Sequence, residues 1–177
     1  MHDRLANLLG AASLAVTDLV LTAATGAARV SASGAAALVV LSDAPDLGVT
    51  EVGRRVGLTQ SAAARMVDGL QAAGLAERRR GPGRAVHVRL TSAGEAAARE
   101  MLSARGAPLA RVLDVLDGDE RETFTVLLAK LLARLYDEIG DTDVICRLCD
   151  RECCTAGAVC PVGQAERDTA ERDAGAS

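Results

Sequence analysis

A mainly α-helical fold carrying one small β-hairpin is predicted by three features of this 177-residue chain. Long stretches repeat leucine, valine and alanine at three- and four-residue spacing, the period of a helix with one apolar face. One short stretch, around residues 76–91, changes to two-residue alternation on either side of a Gly-Pro-Gly turn. The apolar fraction, 49%, suffices for a core, but it is mostly Ala, Leu and Val, with Phe124 and Tyr136 as the only aromatics. A core of small aliphatics is thin per residue, which favours close-packed helices and a core shared between two copies.

Residues 4–28 read as the first helix, with Leu5, Leu8, Leu9, Ala12, Val16, Leu19 and Val20 on one face. Asn7, Thr17 and Asp18 interrupt the apolar run, which is judged too short and too polar for a membrane span. It lacks the basic start and cleavage site of a signal peptide, so a cytoplasmic protein with no membrane partner is expected. Ser31 or Ser33 caps a second helix that stops at Ala44 before Pro45. Residues 49–58 form a short helix ended by Gly57, and Thr59 caps the next, which ends near Gly74. AERRR, GPGR and AVHVRLT then read as strand, turn and strand, with Val86, Val88 and Leu90 on the buried side. Thr91 or Ser92 opens a long helix to about Leu116, with Ser92 and Glu95 at capping-box spacing and a bend expected at Gly106 and Pro108. Asp117 and Glu120 cap a last long helix to about Ile139, whose Phe124, Leu127, Leu128, Leu131 and Leu135 share one face. The final QAERDTAERDAGAS is a short helix that frays.

Charge is distributed unevenly. The whole chain carries −4, yet residues 54–89 hold eight arginines against Asp68 and Glu77, a local +6 that leaves −10 for the rest. A basic island on an acidic body is an electrostatic footprint for phosphate. It coincides with a short helix, a turn, a capped helix and a hairpin, the order of a winged helix–turn–helix. The second helix of that unit enters the major groove by its N-terminal residues. Here these are Thr59, Gln60, Ser61, Ala62 and Arg65. Gln60 and Ser61 can hydrogen-bond bases or phosphates, Arg65 lies one turn further on, and Ala62 and Ala63 permit close approach. Arg79 and Arg80 lead into the hairpin, whose GPGR tip presents Arg84 to a narrow minor groove. His87 is expected on the strand surface, with Glu77 and Asp68 as local ion-pair partners.

VTEVGRRVGLTQSAAARMVDGLQAAGLAERRR followed by GRAVHVRLTSAGEAA resembles the MarR family of bacterial transcriptional regulators. The likeness is clear over residues 31–100, and the flanking helices fit the family plan to about residue 140. It implies a homodimer with interlocked terminal helices that reads a palindromic operator in double-stranded DNA, as a repressor. It also implies an N-terminal dimerisation helix (1–30), a DNA-binding region (31–91) and C-terminal dimerisation helices (92–140); beyond them, the sequence itself sets off a cysteine tail (141–163) and a flexible end (164–177). Arg84 matches the family's wing arginine, and Gln60, Ser61 and Arg65 match recognition-helix positions. Where the family often has an aspartate two residues before the wing arginine, this chain has Pro82.

All five cysteines fall between Cys146 and Cys160, outside the part of the chain that resembles the family. Such confinement brings thiolates to one point, as for a metal, an iron–sulfur cluster or a redox pair. Cys146, Cys149, Cys154 and Cys160 give the spacing C-x2-C-x4-C-x5-C, and Cys153 is the alternative to Cys154. An iron–sulfur cluster (4Fe-4S or 2Fe-2S) needs only thiolates and an irregular loop, and Pro161 after the last cysteine is also seen in bacterial ferredoxin runs. Zinc is the alternative cofactor, although zinc sites usually pair two C-x2-C knuckles or use histidine. A thiol switch is a third reading, with Arg147 and Arg151 at hand to lower a thiol pKa. A small-molecule effector between the DNA-binding and dimer regions, as in many members of the family, is a fourth. No catalytic residues are assigned: there is no paired-carboxylate pattern, no Ser/His/Asp set and no phosphate loop, so an enzyme is not expected.

Overall fold

The computed structural model describes residues 3–81 and 86–175, so Pro82 and the wing arginine Arg84 lie outside the described residues. The helices are α1 (Arg4–Ala28), α2 (Ala32–Asp43), α3 (Val49–Arg55), α4 (Gln60–Ala72), α5 (Ser92–Leu113), α6 (Gly118–Ile139), α7 (Thr142–Cys146), α8 (Arg151–Thr155) and α9 (Pro161–Gly175). The strands are β1 (Leu47–Gly48), β2 (Ala76–Arg80) and β3 (Val86–Leu90), an antiparallel sheet ordered β1-β3-β2. The hairpin register pairs Arg78 with Val88 and Arg80 with Val86. β1 is an element that its two residues were too few to announce; it pairs Leu47 with Val88 on the far edge of the hairpin.

α2 is the centre of the fold. Gly34 through Leu41 are all buried, because α1, α5, α3, α4 and β3 surround it. Leu38, Leu41, Val52, Val67, Val88 and Met101 are the large side chains at the heart of this core. Ser31, not Ser33, is its N-cap: its hydroxyl accepts from the Gly34 amide at 3.1 Å. Asp117 and Glu120 form the expected capping box on α6, with reciprocal bonds of 2.9 and 3.0 Å.

Several expectations are corrected. Thr91 caps α5 by accepting from Gly94, so the Ser92–Glu95 pair is not a capping box. α5 runs unbroken through Pro108, which is buried, and stops at Leu113 rather than Leu116. Val86 is 43% exposed, so only Val88 and Leu90 of β3 face the core. α1 spans 25 residues and is long and apolar enough to cross a membrane by length and composition, contrary to the expectation from its polar interruptions. One side of α1 instead packs along α5. The cysteine segment is not an irregular loop, for α7 and α8 occupy it, and α9 begins at Pro161 and packs on α6 and α7.

Two apolar faces have no cover among the described residues. Leu5, Leu8, Leu9, Leu14 and Leu19 of α1 are exposed, and so are Phe124, Leu127, Leu128, Leu131 and Leu135 of α6, a helix with no buried residue. Patches of this extent on a folded chain mark an interaction surface.

Candidate nucleic-acid interface and cysteine site

α3 and α4 cross at close range. A Cβ added to Gly53 would stand 2.6 Å from the Cβ of Ala63, which is itself fully buried. Ala63 is therefore small in order to fit α3, not to approach a nucleic acid, which corrects one half of the Ala62–Ala63 expectation. Thr59 caps α4: its hydroxyl accepts from the Ala62 amide and lies 3.4 Å from the Ser61 hydroxyl. Gln60, Ser61 and Arg65 are exposed at the start of α4 and Ala62 is half-buried. The N-terminal amides and polar side chains of α4 thus face outward together, as a helix entering a groove requires.

The basic island separates into engaged and open arginines. Arg78 is held by Asp68 at 2.6 Å and by Gln71, Arg79 by Glu77 at 2.7 Å, and Arg89 by Asp46 at 3.1 Å. Glu77 and Asp68 are local partners, as their positions suggested. His87 is half-buried, its Nδ1 2.7 Å from the Asp46 carbonyl oxygen. Arg65 and Arg80 are exposed and make no ion pair among the described residues.

Arg54 and Arg55, counted with the island in sequence, are turned to another use. Arg54 donates to both carboxylate oxygens of Glu51, to Asp141 at 3.0 Å and to Asp143 at 2.7 Å. Arg55 donates to Glu51 at 2.8 Å and stands 3.6 Å from Asp143. The two guanidinium groups hold the Glu51 carboxyl at about 2, well below its usual 4.5, with the Arg54 hydrogen bonds the largest cause. Asp141 is the N-cap of α7 and Asp143 lies in its first turn, so the cysteine tail is docked on the first helix of the helix–turn–helix. Arg151, at the start of α8, bridges Asp143 at 3.2 Å and Asp43 at the end of α2 at 3.0 Å. Arg105 of α5 donates to the carbonyl of Leu148, whose side chain packs against the core. Sequence reasoning missed Glu51, Asp141, Asp143, Asp43 and Arg105. The available signal was complementarity, an acidic pair just before the cysteines facing an arginine pair in the island.

Within the tail, Cys149 lies close enough to Cys146 and Cys154, and Cys154 to Cys160, for these thiols to perturb one another's ionisation. Cys153 and Cys154 are both exposed. Cys160 precedes the first residue of α9 and its Sγ accepts from the Gly163 amide at 3.5 Å, while Pro161 supplies the first helical position. This proximity polarises the thiols. The neighbouring Cys149 thiol lowers the pKa of Cys146, with help from Arg151 and against burial. Cys146 in turn, with burial, pushes Cys149 far up, and burial followed by the Cys149 charge raises Cys154 to about 11. Arg147 instead donates to the Val144 carbonyl. Among the described residues no three His, Cys, Asp or Glu side chains stand in a ready-made coordinating arrangement. In kind the donors are those a thiolate centre takes, cysteines confined between Cys146 and Cys160, one of which receives an amide hydrogen bond.

Residues 30–85 match the family model described as MarR family. No curated protein matches the chain. Among solved structures, the YusO protein of Bacillus subtilis is similar at 26% identity and a TM-score of 0.64, over 72% of this chain and 91% of that one. The Mycobacterium tuberculosis MarR family protein Rv2887, in its complex with DNA, is similar at 26% identity and a TM-score of 0.59, over 73% and 98%. The same protein in complex with salicylic acid is similar at 27% identity and a TM-score of 0.57, over 73% and 97%. The tail beyond α6 has no part in the family match, which ends at residue 85.

Proposed function

We propose that this chain, whose residues 30–85 form a MarR-family winged-helix domain, is a homodimeric transcriptional repressor that binds a palindromic operator and senses redox or metal state through a cysteine-ligated centre. The family consists of transcription regulators rather than enzymes. The observation that carries DNA binding is the outward face of α4, where Gln60, Ser61 and Arg65 stand exposed, together with exposed Arg80 at the end of β2, which makes no ion pair among the described residues. The DNA complex of Rv2887, similar over most of this chain, supports it. The uncovered faces of α1 and α6 support the dimer, since a second copy would bury them, and a helix–turn–helix dimer reads two half-sites about one helical turn apart.

The mutual perturbation of Cys146, Cys149, Cys154 and Cys160 supports these four as ligands, with Cys153 as the alternative to Cys154. We favour an iron–sulfur cluster over zinc because the donors are thiolates alone, with no histidine in the tail. Such a cluster supplies a one-electron redox state or oxidant-sensitive occupancy. The chain's part is to gather the thiols, lower Cys146 for the first deprotonation and hold α7 and α8 in place.

A second reading, an organic effector, is favoured by a cleft of about 530 Å³ between α2, the sheet and α5, where Arg79, Arg89 and Arg99 stand with Glu77 and Glu95. Rv2887 in complex with salicylic acid is a similar structure holding an organic anion.

Anaerobic purification, with an absorption spectrum, metal analysis and an electrophoretic shift on DNA upstream of its own coding region, tests the proposal. A brown protein with several irons per chain that shifts this DNA is expected. Stoichiometric zinc without colour would overturn the iron–sulfur assignment and leave the regulator. Failure of the loaded protein to bind any upstream fragment would overturn the regulator.

A further inference from the structure

The tail beyond α6 carries eight carboxylate side chains against four arginines, and it docks on a helix of the basic island. Where it meets α3 the contact is electrostatic. Asp141 and Asp143 receive Arg54 at 3.0 and 2.7 Å, and Asp143 stands 3.6 Å from Arg55. Glu166 of α9 lines the same cleft. Arg54 and Arg55 against Glu51 leave α3 one net positive charge, and Asp141 with Asp143 reverses that sign. Arg151 of the tail returns one positive charge, but shares it between Asp143 and Asp43.

The two arginines lie at the end of the helix–turn–helix that meets a duplex. They are the last residues of α3, and four residues separate Arg55 from Gln60, the first of α4. The Gly57 amide donates to the Arg54 carbonyl and the Leu58 amide to the Gly53 carbonyl, so the last turn of α3 runs directly into the turn that carries the Thr59 cap. In a helix–turn–helix the second helix enters the groove by this end, while the first helix crosses the backbone. A guanidinium placed there is a ligand for phosphate. Here carboxylates of the same chain already occupy it. Exposed ion pairs contribute little each and weaken with salt, so a duplex with its dense rows of phosphates competes with them effectively.

We infer that the C-terminal tail is an autoinhibitory strap: Asp141 and Asp143 hold Arg54 and Arg55 in place of DNA phosphates, and full engagement of a duplex requires α7 to give them up. This rests on the DNA-binding reading above and is independent of any metal at the cysteines. With the strap docked, α4 still presents Gln60, Ser61 and Arg65, but α3 makes no backbone contact through its arginines. Release of α7 frees both guanidinium groups and removes two carboxylates from beside the phosphates. α9 packs on α6 as well as on α7, so a tail lifted from α3 stays tethered to α6.

The test uses the full chain, a duplex from upstream of its own coding region, and the double variant Asp141→Asn, Asp143→Asn. Asparagine keeps an oxygen for the α7 cap while removing the charge. Fluorescence anisotropy across a range of salt concentrations gives the affinities. The double variant is expected to bind about fivefold tighter, the low end of the usual coupling between two sites, with a salt-dependence slope steeper by about one. Adding Arg54→Gln to the double variant should cancel the gain. Hydrogen exchange on wild type gives a readout independent of how the variants fold. The Val144 and Ile145 amides, both bonded to Asp141, should exchange faster when the duplex is added. Equal or weaker binding by the double variant, or exchange at those amides unmoved by the duplex, overturns the strap and leaves DNA binding standing. If neither wild type nor the double variant binds the duplex, the DNA-binding reading itself falls.

Discussion

Arg54 and Asp143 lie 89 residues apart in sequence and 2.7 Å apart in the fold. Their bond joins the first helix of the DNA-reading unit to the helix that ends in Cys146, so the two parts of the chain with the plainest chemistry are in direct contact. The same guanidinium also holds Glu51 and Asp141, making Arg54 the hub of the junction.

Acid should loosen this junction. Glu51 has its carboxyl lowered from 4.5 to about 2 in the folded chain, so it binds fewer protons there than when unfolded. Its contribution to stability is present above about pH 4.5 and is lost as pH falls from there towards 2. Circular dichroism during acid titration checks this, and Glu51→Gln should flatten the loss in that window. An unchanged acid profile in the variant would count against the assignment.

Gly53→Ala should cost about 1–3 kcal/mol through overpacking at the α3–α4 crossing. The added methyl group has only 2.6 Å to the Ala63 Cβ, so α3 or α4 must shift to admit it. Thermal unfolding measures the loss. Adding Ala63→Gly should restore part of it, since that change removes the opposing atom.

Arg65→Ala and Arg80→Ala should each weaken operator binding and lower the salt-dependence slope by about one, the signature of a lost phosphate contact. Arg78→Ala should matter less, because Arg78 is already occupied by Asp68 and Gln71. Fluorescence anisotropy at several salt concentrations separates these outcomes. A full slope after Arg65→Ala would move the contact surface elsewhere.

Leu131→Glu should dissociate the proposed dimer. Leu131 is 42% exposed in the single chain, on the uncovered face of α6, and a carboxylate there would be buried without a partner on association. Sedimentation velocity at micromolar concentration is the check, with unchanged helix content showing that the protomer still folds.

Cys154→Ser should remove most of the bound metal, whereas Cys153→Ser should retain it. The ionisation of Cys154 is perturbed by Cys149 and Cys160, which puts its thiol near theirs. Metal analysis of the two variants decides between adjacent residues that spacing alone could not separate.

Local rules made much of the fold legible. The Thr59 cap, the Asp117–Glu120 box, the limits of α1 and the two hairpin strands all depend on residues within a few positions of each other. The errors arose where a local signal had two readings. Thr91 and Ser92 are both capping residues, and the choice fell to Thr91, whose hydroxyl also donates to the Gly74 carbonyl of a different element. Ala63 has the same side chain as Ala62, and only its burial against Gly53 separates their roles.

The sequence by itself determined the winged-helix order, the Thr59 cap of α4 and the confinement of the cysteines, because periodicity, capping and spacing are properties of neighbours along the chain. Only the tertiary structure decided which arginines of the basic island remain open, that the cysteine tail folds into short helices, and that it docks on α3. Those outcomes depend on pairings such as Arg54–Asp143 and Arg151–Asp43, whose partners are brought together only by packing around the α2 core. Ion pairing is set by distance in space, and a one-dimensional pattern of charges does not contain that distance.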